Sequence, residues 1–446
     1  MHALCYLLFS LVAAFFLLVG FALMHAATGT ALLATLRAAG PDNVTVFLLL
    51  AIGLLIKAGA VGVHVWLPGA YAEADDIVSA LLSAVVSKAS MFGLLLGTYL
   101  AIRSEVALNL AHAIGWIGML TALVGAMLAV RQNDMKRMLA YSSMSQLGYI
   151  ITAIALMSHL GWVAALYLIA NHLMVKGILF LVAATLILRT GRRVLADLGG
   201  LATAMPLTFA AAVVAMIAMS GLPPLTGFGG KWLLLNAMLE KGWFGPAMMT
   251  LVATFLGFLY MARFIQATFL GANTAEHDSI AEAPMALLVP QYLLVAGILV
   301  MSFFPKLLIE PISRAIDPQF ASTLVWQGMS LEMIYGYWNP LPVMGFALAA
   351  ATVLFGVFWL LHLTGWWVRG HPPVGFYDTC GRLTAILTPP CAIAFWTGLA
   401  EALGALAGRT RLIYSGDGQT YNLYLLYYVL TLYVAAGGLR QLWPGG

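Results

Sequence analysis

Residues 57–88 read KAGAVGVHVWLPGAYAEADDIVSALLSAVVSK, and the fold is decided here. The stretch joins two apolar runs, 46–66 and 78–102, each long enough for a membrane helix of about 20 residues. Yet each run carries a lysine about halfway along, Lys57 and Lys88. Between them stand His64, Pro68 and the acids Glu73, Asp75 and Asp76. A charge at bilayer depth costs at least ~2.5–3.5 kcal/mol on insertion scales, so it is rarely kept without a use. Two such lysines in one helical hairpin predict a polar path buried inside a membrane protein.

Composition agrees. The chain is 62% hydrophobic and only 9% charged, and its mean hydropathy is +0.95. Soluble domains carry about 25% charged residues. Apolar runs recur without the alternation that a transmembrane β-barrel requires. The expectation is an all-α polytopic membrane protein. The net charge of +4 is small and its basic residues lie in loops, which argues for topology and against nucleic-acid binding. Cys5, Cys380 and Cys391 have no metal-ligand spacing, and no haem, iron–sulfur or flavin motif is present. Neither a metal nor a cofactor is expected on this chain.

The first run, 4–23, lacks the basic start of a signal peptide and reads as a span. Further spans are predicted at 108–130, 139–157, 162–188, 207–239, 247–270 and 287–304, then 343–363, 383–406 and 424–439. With the two in the hairpin this gives about twelve transmembrane helices. Residues 305–340, with Lys306, Arg314, Trp326 and Tyr335, read as interfacial. The division expected is 1–102, 103–305 and 306–446. The basic turns at 131–137 and 189–193 fall on one side, expected to be cytoplasmic, and the acidic turn at 73–76 falls there too.

Two spans read as interrupted. The first ends at Pro68, which cannot continue a helix. The second contains SGLPPLTGFGGK, with Gly221, Pro223 and Pro224 at its heart. Broken spans at corresponding places point to a transport site, because loosened backbone lines a polar cavity.

The ionisable residues well inside the spans or beside a break are Lys57, Lys88, His172, Lys176 and Lys231. His172 and Lys176, four apart, share a helix face. Small neighbours of Lys88 (Ser79, Ser83, Ala84, Ser87, Ser90) allow close helix approach. Together these groups suggest a line in the membrane plane along which protons hop through water. Burial disfavours an ammonium and a nearby acid restores it, so a buried lysine is a proton site that a neighbouring charge switches. The plainer readings are snorkelling, strongest for Lys231, a structural role for His172, and a capping role for His64 one turn before Pro68. The plainer reading of the breaks, as simple kinks, is the lesser one.

At KAGAVGVHVWLPGAYAEA, VSALLSAVVSK, RQNDMKRMLAYSSMSQLGYI, NHLMVKGILFL and SGLPPLTGFGGKWLLL the sequence resembles the antiporter-like subunits of respiratory complex I, membrane-bound hydrogenases and multi-subunit cation/proton antiporters. The resemblance covers roughly residues 1–305, with a weaker match near the end of the chain. It implies two inverted five-helix repeats, each with a broken helix. It assigns proton translocation to Lys57, Lys88, His172, Lys176 and Lys231, with His64 beside them. It also implies a proton-translocating subunit of an oxidoreductase of the NADH:quinone type, without a redox centre of its own, in the bacterial inner membrane. Its partners would be other membrane subunits.

One feature departs from the family. The resemblance implies a glutamate on a preceding helix as the partner of Lys57, but no Asp or Glu stands before Asp42. The chain aligns from the family's sixth helix, so the first repeat reads as incomplete and the acid is expected from another polypeptide or a preceding segment. Two other functions compete. One is exchange of protons for Na+ or K+, although hard cations want oxygen ligands and Glu401 is the main acid in the spans. The other is a membrane scaffold that does not transport.

Overall fold

The computed structural model describes residues 2–30, 44–101, 105–270, 280–316, 320–363, 401, 405 and 426–431. Helix α1 (His2–Thr28) is predominantly apolar and packs along α2 (Val44–Ala58). Helix α2 ends ten residues before Pro68, where Gly59 and Gly62 take φ of +69° and +90°. Side-chain-bearing residues resist that conformation, so these glycines set the break. Pro68 instead sits in the first turn of α3 (Trp66–Glu73), where a missing N–H costs nothing. The expectation that Pro68 breaks the span is therefore corrected.

Asp75 caps α4 (Asp76–Leu81) by accepting a hydrogen bond from Ile77 N–H. A turn of π-helix (Leu82–Val86) then leads into α5 (Ser87–Ala101). Helices α6 (Glu105–Val130), α7 (Met135–Ala155) and α8 (His159–Thr190) follow. Next come the second broken pair, α9 (Pro206–Ser220) and α10 (Thr226–Glu240), then α11 (Phe244–Ile265) and α12 (Met285–Phe303). Among the described residues six helical segments are long and apolar enough to cross a membrane. The expected spans at 383–406 and 424–439 lie outside the described residues, apart from 401, 405 and 426–431.

Helix α7 is nearly all buried, which explains its modest hydropathy: protein rather than lipid surrounds it. It packs on α6 backbone to backbone. A Cβ on Gly148 would stand 2.4 Å from Ala122 N and 2.5 Å from Gly118 O. Helix α8, the longest among the described residues, packs against α7, α9, α10, α12 and α4 and forms the centre of the bundle.

The polar turns meet. Met135 N–H donates to Arg193 O at 3.1 Å and Leu195 N–H to Asn133 O at 2.8 Å. The acids of the 73–76 turn join them: Asp76 binds Lys136 at 2.7 Å, and Glu73 lies 3.1 Å from Arg193 and 3.3 Å from Arg137. All three turns thus share one side, and the acids are there as counter-ions.

The stretch at 305–340 is more structured than a connecting loop. Amphipathic α13 (Lys306–Ile316) is followed by β1 (Val325–Gln327), β2 (Ser330–Met333) and β3 (Gly336–Trp338), an antiparallel ribbon that the all-α expectation missed. Lys306 Nζ stands 5.4 Å from the Trp326 ring centre. Trp338 is buried on Gly229 of α10, which anchors the ribbon over the second broken pair. Helix α14 (Pro340–Leu363) follows.

Candidate functional site

The site is built on α5, α7, α8 and the two breaks. Lys88 begins α5 just beyond the π-helical turn. There the backbone shifts to i→i+5 bonding, and Ser87 N–H reaches Leu82 O. Lys88 Nζ donates to Ser83 O at 2.6 Å and to Ser87 Oγ at 3.0 Å. Its third contact crosses to α8, where His172 Nδ1 is 2.7 Å away. At that distance one partner donates and the other accepts, so amine and imidazole share a proton along one line. Of the small neighbours of Lys88, Ser83 and Ser87 bind it, whereas Ser79 and Ser90 turn back to carbonyls of their own segment.

One turn along α8, Lys176 is fully buried. Its Nζ donates to Leu139 O at 3.1 Å and to Ser142 Oγ, both on α7. A further crossing joins the π-helical turn to α7, with Ser83 Oγ 2.8 Å from Ser143 Oγ. Lys88, His172 and Lys176 thus form one buried cluster, turned away from lipid.

Lys231, in the second turn of α10, reaches back to the end of α9. Its Nζ donates to Ser220 O at 3.1 Å and Met219 O at 3.3 Å. These carbonyls lack helical partners and carry the negative end of the helix dipole, which suits an ammonium. The ring of Tyr149 on α7 lies 5.1 Å from the same nitrogen. Gly221 closes α9 with φ +74°, and a Cβ there would meet Lys231 Cδ at 2.6 Å. Pro223 and Pro224 complete the turn. Asn171 clamps this break from α8: its side chain donates to Ala218 O at 3.4 Å and accepts from the Thr226 hydroxyl.

Lys57 differs from the other lysines. It stands in the last turn of α2, at the first break and not mid-helix, and is half-buried. Its Nζ donates to Ser10 Oγ of α1 at 2.9 Å and lies 5.0 Å from the Tyr6 ring centre. Among the described residues no carboxylate forms an ion pair with it. A cavity of about 220 Å³ runs from Lys57 past Tyr6, Trp66 and Tyr71 to Ser87, the hydroxyl that binds Lys88. His64 is buried within the first break and bonds the backbone of Ala60. Glu401 is exposed.

The structure adds Ser142, Ser143, Tyr149 and Asn171 to the residues chosen from sequence, and Tyr6 and Ser10 around Lys57. Four hydroxyl-bearing residues between 141 and 145 of a predicted span were the available signal. Among the described residues no group of acids, histidines and cysteines is arranged to hold a metal ion.

Known proteins share this architecture. NADH-quinone oxidoreductase subunit N of Desulforudis audaxviator is 33% identical over 335 residues, covering 71% of this chain and 67% of that protein. One of the Na(+)/H(+) antiporter subunits of Alkalihalophilus pseudofirmus is 28% identical over 84% of this chain, a match that spans half of its own length. A chain of the membrane-bound sulfane sulfur reductase, described as an archaeal respiratory membrane complex, superposes with a TM-score of 0.75 at 27% identity, covering 97% of this chain and 76% of that one. Residues 2–257 match the family described as NADH:quinone oxidoreductase/Mrp antiporter, TM. With the buried amines and broken helices in place, the chain belongs to this family of antiporter-like integral membrane proteins.

Proposed function

We propose that this chain moves protons along the line Lys57, Lys88, His172, Lys176 and Lys231 as one subunit of a multi-subunit membrane complex. The observation that carries the reading is the 2.7 Å contact between Lys88 Nζ and His172 Nδ1, both buried at the centre of the bundle. A proton placed on either nitrogen passes to the other without movement of the backbone. A charge change beside Lys57 would shift the occupancy of Lys88 through the connecting cavity, and so on toward Lys231. Energy would come from redox chemistry or ion exchange on a neighbouring polypeptide, as the names of the relatives suggest. We place the chain in a bacterial inner membrane, with the basic turns on the cytoplasmic side. The two broken pairs are read as corresponding parts of two inverted repeats.

Lys57 lacks a carboxylate among the described residues while remaining half-exposed at a cavity. We assign its acidic partner to another polypeptide of the complex or to a preceding segment. Replacing Lys88 or Lys57 by Ala is expected to abolish proton uptake by native-membrane vesicles while the complex still assembles. Uptake at the normal rate in both variants would reject the line. The similarity to a Na(+)/H(+) antiporter favours, as a second reading, proton exchange for Na+ or K+. Sodium-dependent proton flux in the same vesicles would select it.

A further inference from the structure

We propose that the hydroxyls of Ser145, Tyr149 and Tyr260 carry protons between Lys176 and Lys231, with water bridging the unpaired ones. This rests on the proton-transport reading above and names the link that reading leaves open. Lys176 ends on Ser142 of α7, and Lys231 sits over the ring of Tyr149 on the same helix. Ser142, Ser145 and Tyr149 are spaced three and four residues apart, so they stand on one helix face, about 10 Å from first to last.

Two hydroxyls on this route are unusual. Ser142 and Ser143 return their hydroxyls to Leu139 O, as serines inside helices commonly do. Ser145 is fully buried, and its Oγ makes no hydrogen bond among the described residues. The Tyr260 hydroxyl of α11 is likewise fully buried and without a partner at bonding distance. Both lie beside Tyr149: its hydroxyl stands 3.5 Å from Thr254 Oγ1 and interacts with Ser145 and Tyr260, and Gln146 interacts with Tyr260. An unpaired buried hydroxyl costs about 1–3 kcal/mol. A water with two to four polar partners removes that cost, and Ser145, Gln146, Tyr149 and Tyr260 supply them.

A hydroxyl is donor and acceptor at once. In each hop an oxygen takes a proton from the donor behind it and releases its own to the acceptor ahead. One O–H bond forms as another breaks, and every oxygen ends neutral. The ring of Tyr149 holds Lys231, while its hydroxyl belongs to the relay, so the two roles separate in one variant.

The test uses native-membrane vesicles holding the full chain with its partner subunits, and measures proton uptake. Tyr149→Phe keeps the ring, and Ser145→Ala removes one oxygen. Each is expected to slow uptake by about tenfold or more. The residual flux should show a larger ratio of rates in H2O and D2O than the unaltered protein. Normal uptake in both variants alongside loss in Lys88→Ala overturns the link and leaves the lysine line standing. Normal uptake in Lys88→Ala as well rejects both. Slower uptake with an unchanged isotope ratio assigns the hydroxyls a structural role and also overturns the link. Should Tyr149→Phe fail to assemble, Tyr260→Phe and Ser145→Ala decide by the same criteria.

Discussion

Lys88 meets two serine oxygens and one imidazole nitrogen, and this set explains why a lysine stands there. In the proposed relay the Ser83 carbonyl and Ser87 hydroxyl would hold it when charged, and His172 would take the proton when it is not. An arginine would keep the charge but never release the proton, and its planar fork needs more room than one ammonium. Lys88→Arg is therefore expected to stop proton uptake as completely as Lys88→Ala. Flux near the normal rate in Lys88→Arg would mean that the site needs only a fixed positive charge. Lys57 shows how far the immediate surroundings of an amine can differ within one chain: a serine hydroxyl, an aromatic face and a cavity.

At the scale of elements, breaks and close packing place these groups. Without the π-helical turn, Lys88 would be rotated on its helix relative to the bonds that now hold it. Helix α7 presents Ser142 to Lys176 of α8 and Ser143 to Ser83, while the stripe through Ser145 and Gly148 rests on α6. The Gly148 contact leaves no space for a methyl group, because the obstructing atoms are backbone. Gly148→Ala is expected to destabilise the bundle by about 1–3 kcal/mol. A fall in the detergent-solubilised melting temperature would register this, and an unchanged midpoint would show that the helices can separate freely. The clamp by Asn171 and the seat of Lys231 on the α9 terminus tie the two halves of the second break together.

Across the whole molecule, three turns distant in sequence are tied together at one membrane face. Hydrogen bonds from Arg193, then its charge and those from Arg137, hold the Glu73 carboxyl below the usual carboxylate range. The folded state therefore gains from the ionised acid. That gain is complete above the unfolded carboxylate value of about 4.3 and is lost as the pH falls through the lower folded value. Melting temperature should fall more steeply below that range in the unaltered protein than in Glu73→Gln. Parallel curves would show that the network adds nothing, as holds for many exposed ion pairs. The ribbon at 325–338 works at the same scale, packing Trp338 against the second broken pair from a segment over a hundred residues away.

The sequence by itself determined that this is a helical membrane protein, where its apolar segments lie, and that Lys57, Lys88, His172, Lys176 and Lys231 sit in or beside them. Hydropathy and helix spacing are local properties, and a charge in an apolar run is conspicuous. Only the tertiary structure decided which of these groups touch. The sequence placed a break at Pro68, but Gly59 and Gly62 set it, because a proline is harmless in a helix's first turn and positive φ is not open to most residues. The pairing of Lys88 with His172, the hydroxyls of α7 and the ribbon over α10 all join residues far apart in the chain. Such contacts depend on how helices pack, and packing is fixed by the fit of whole surfaces rather than by the spacing along any one of them.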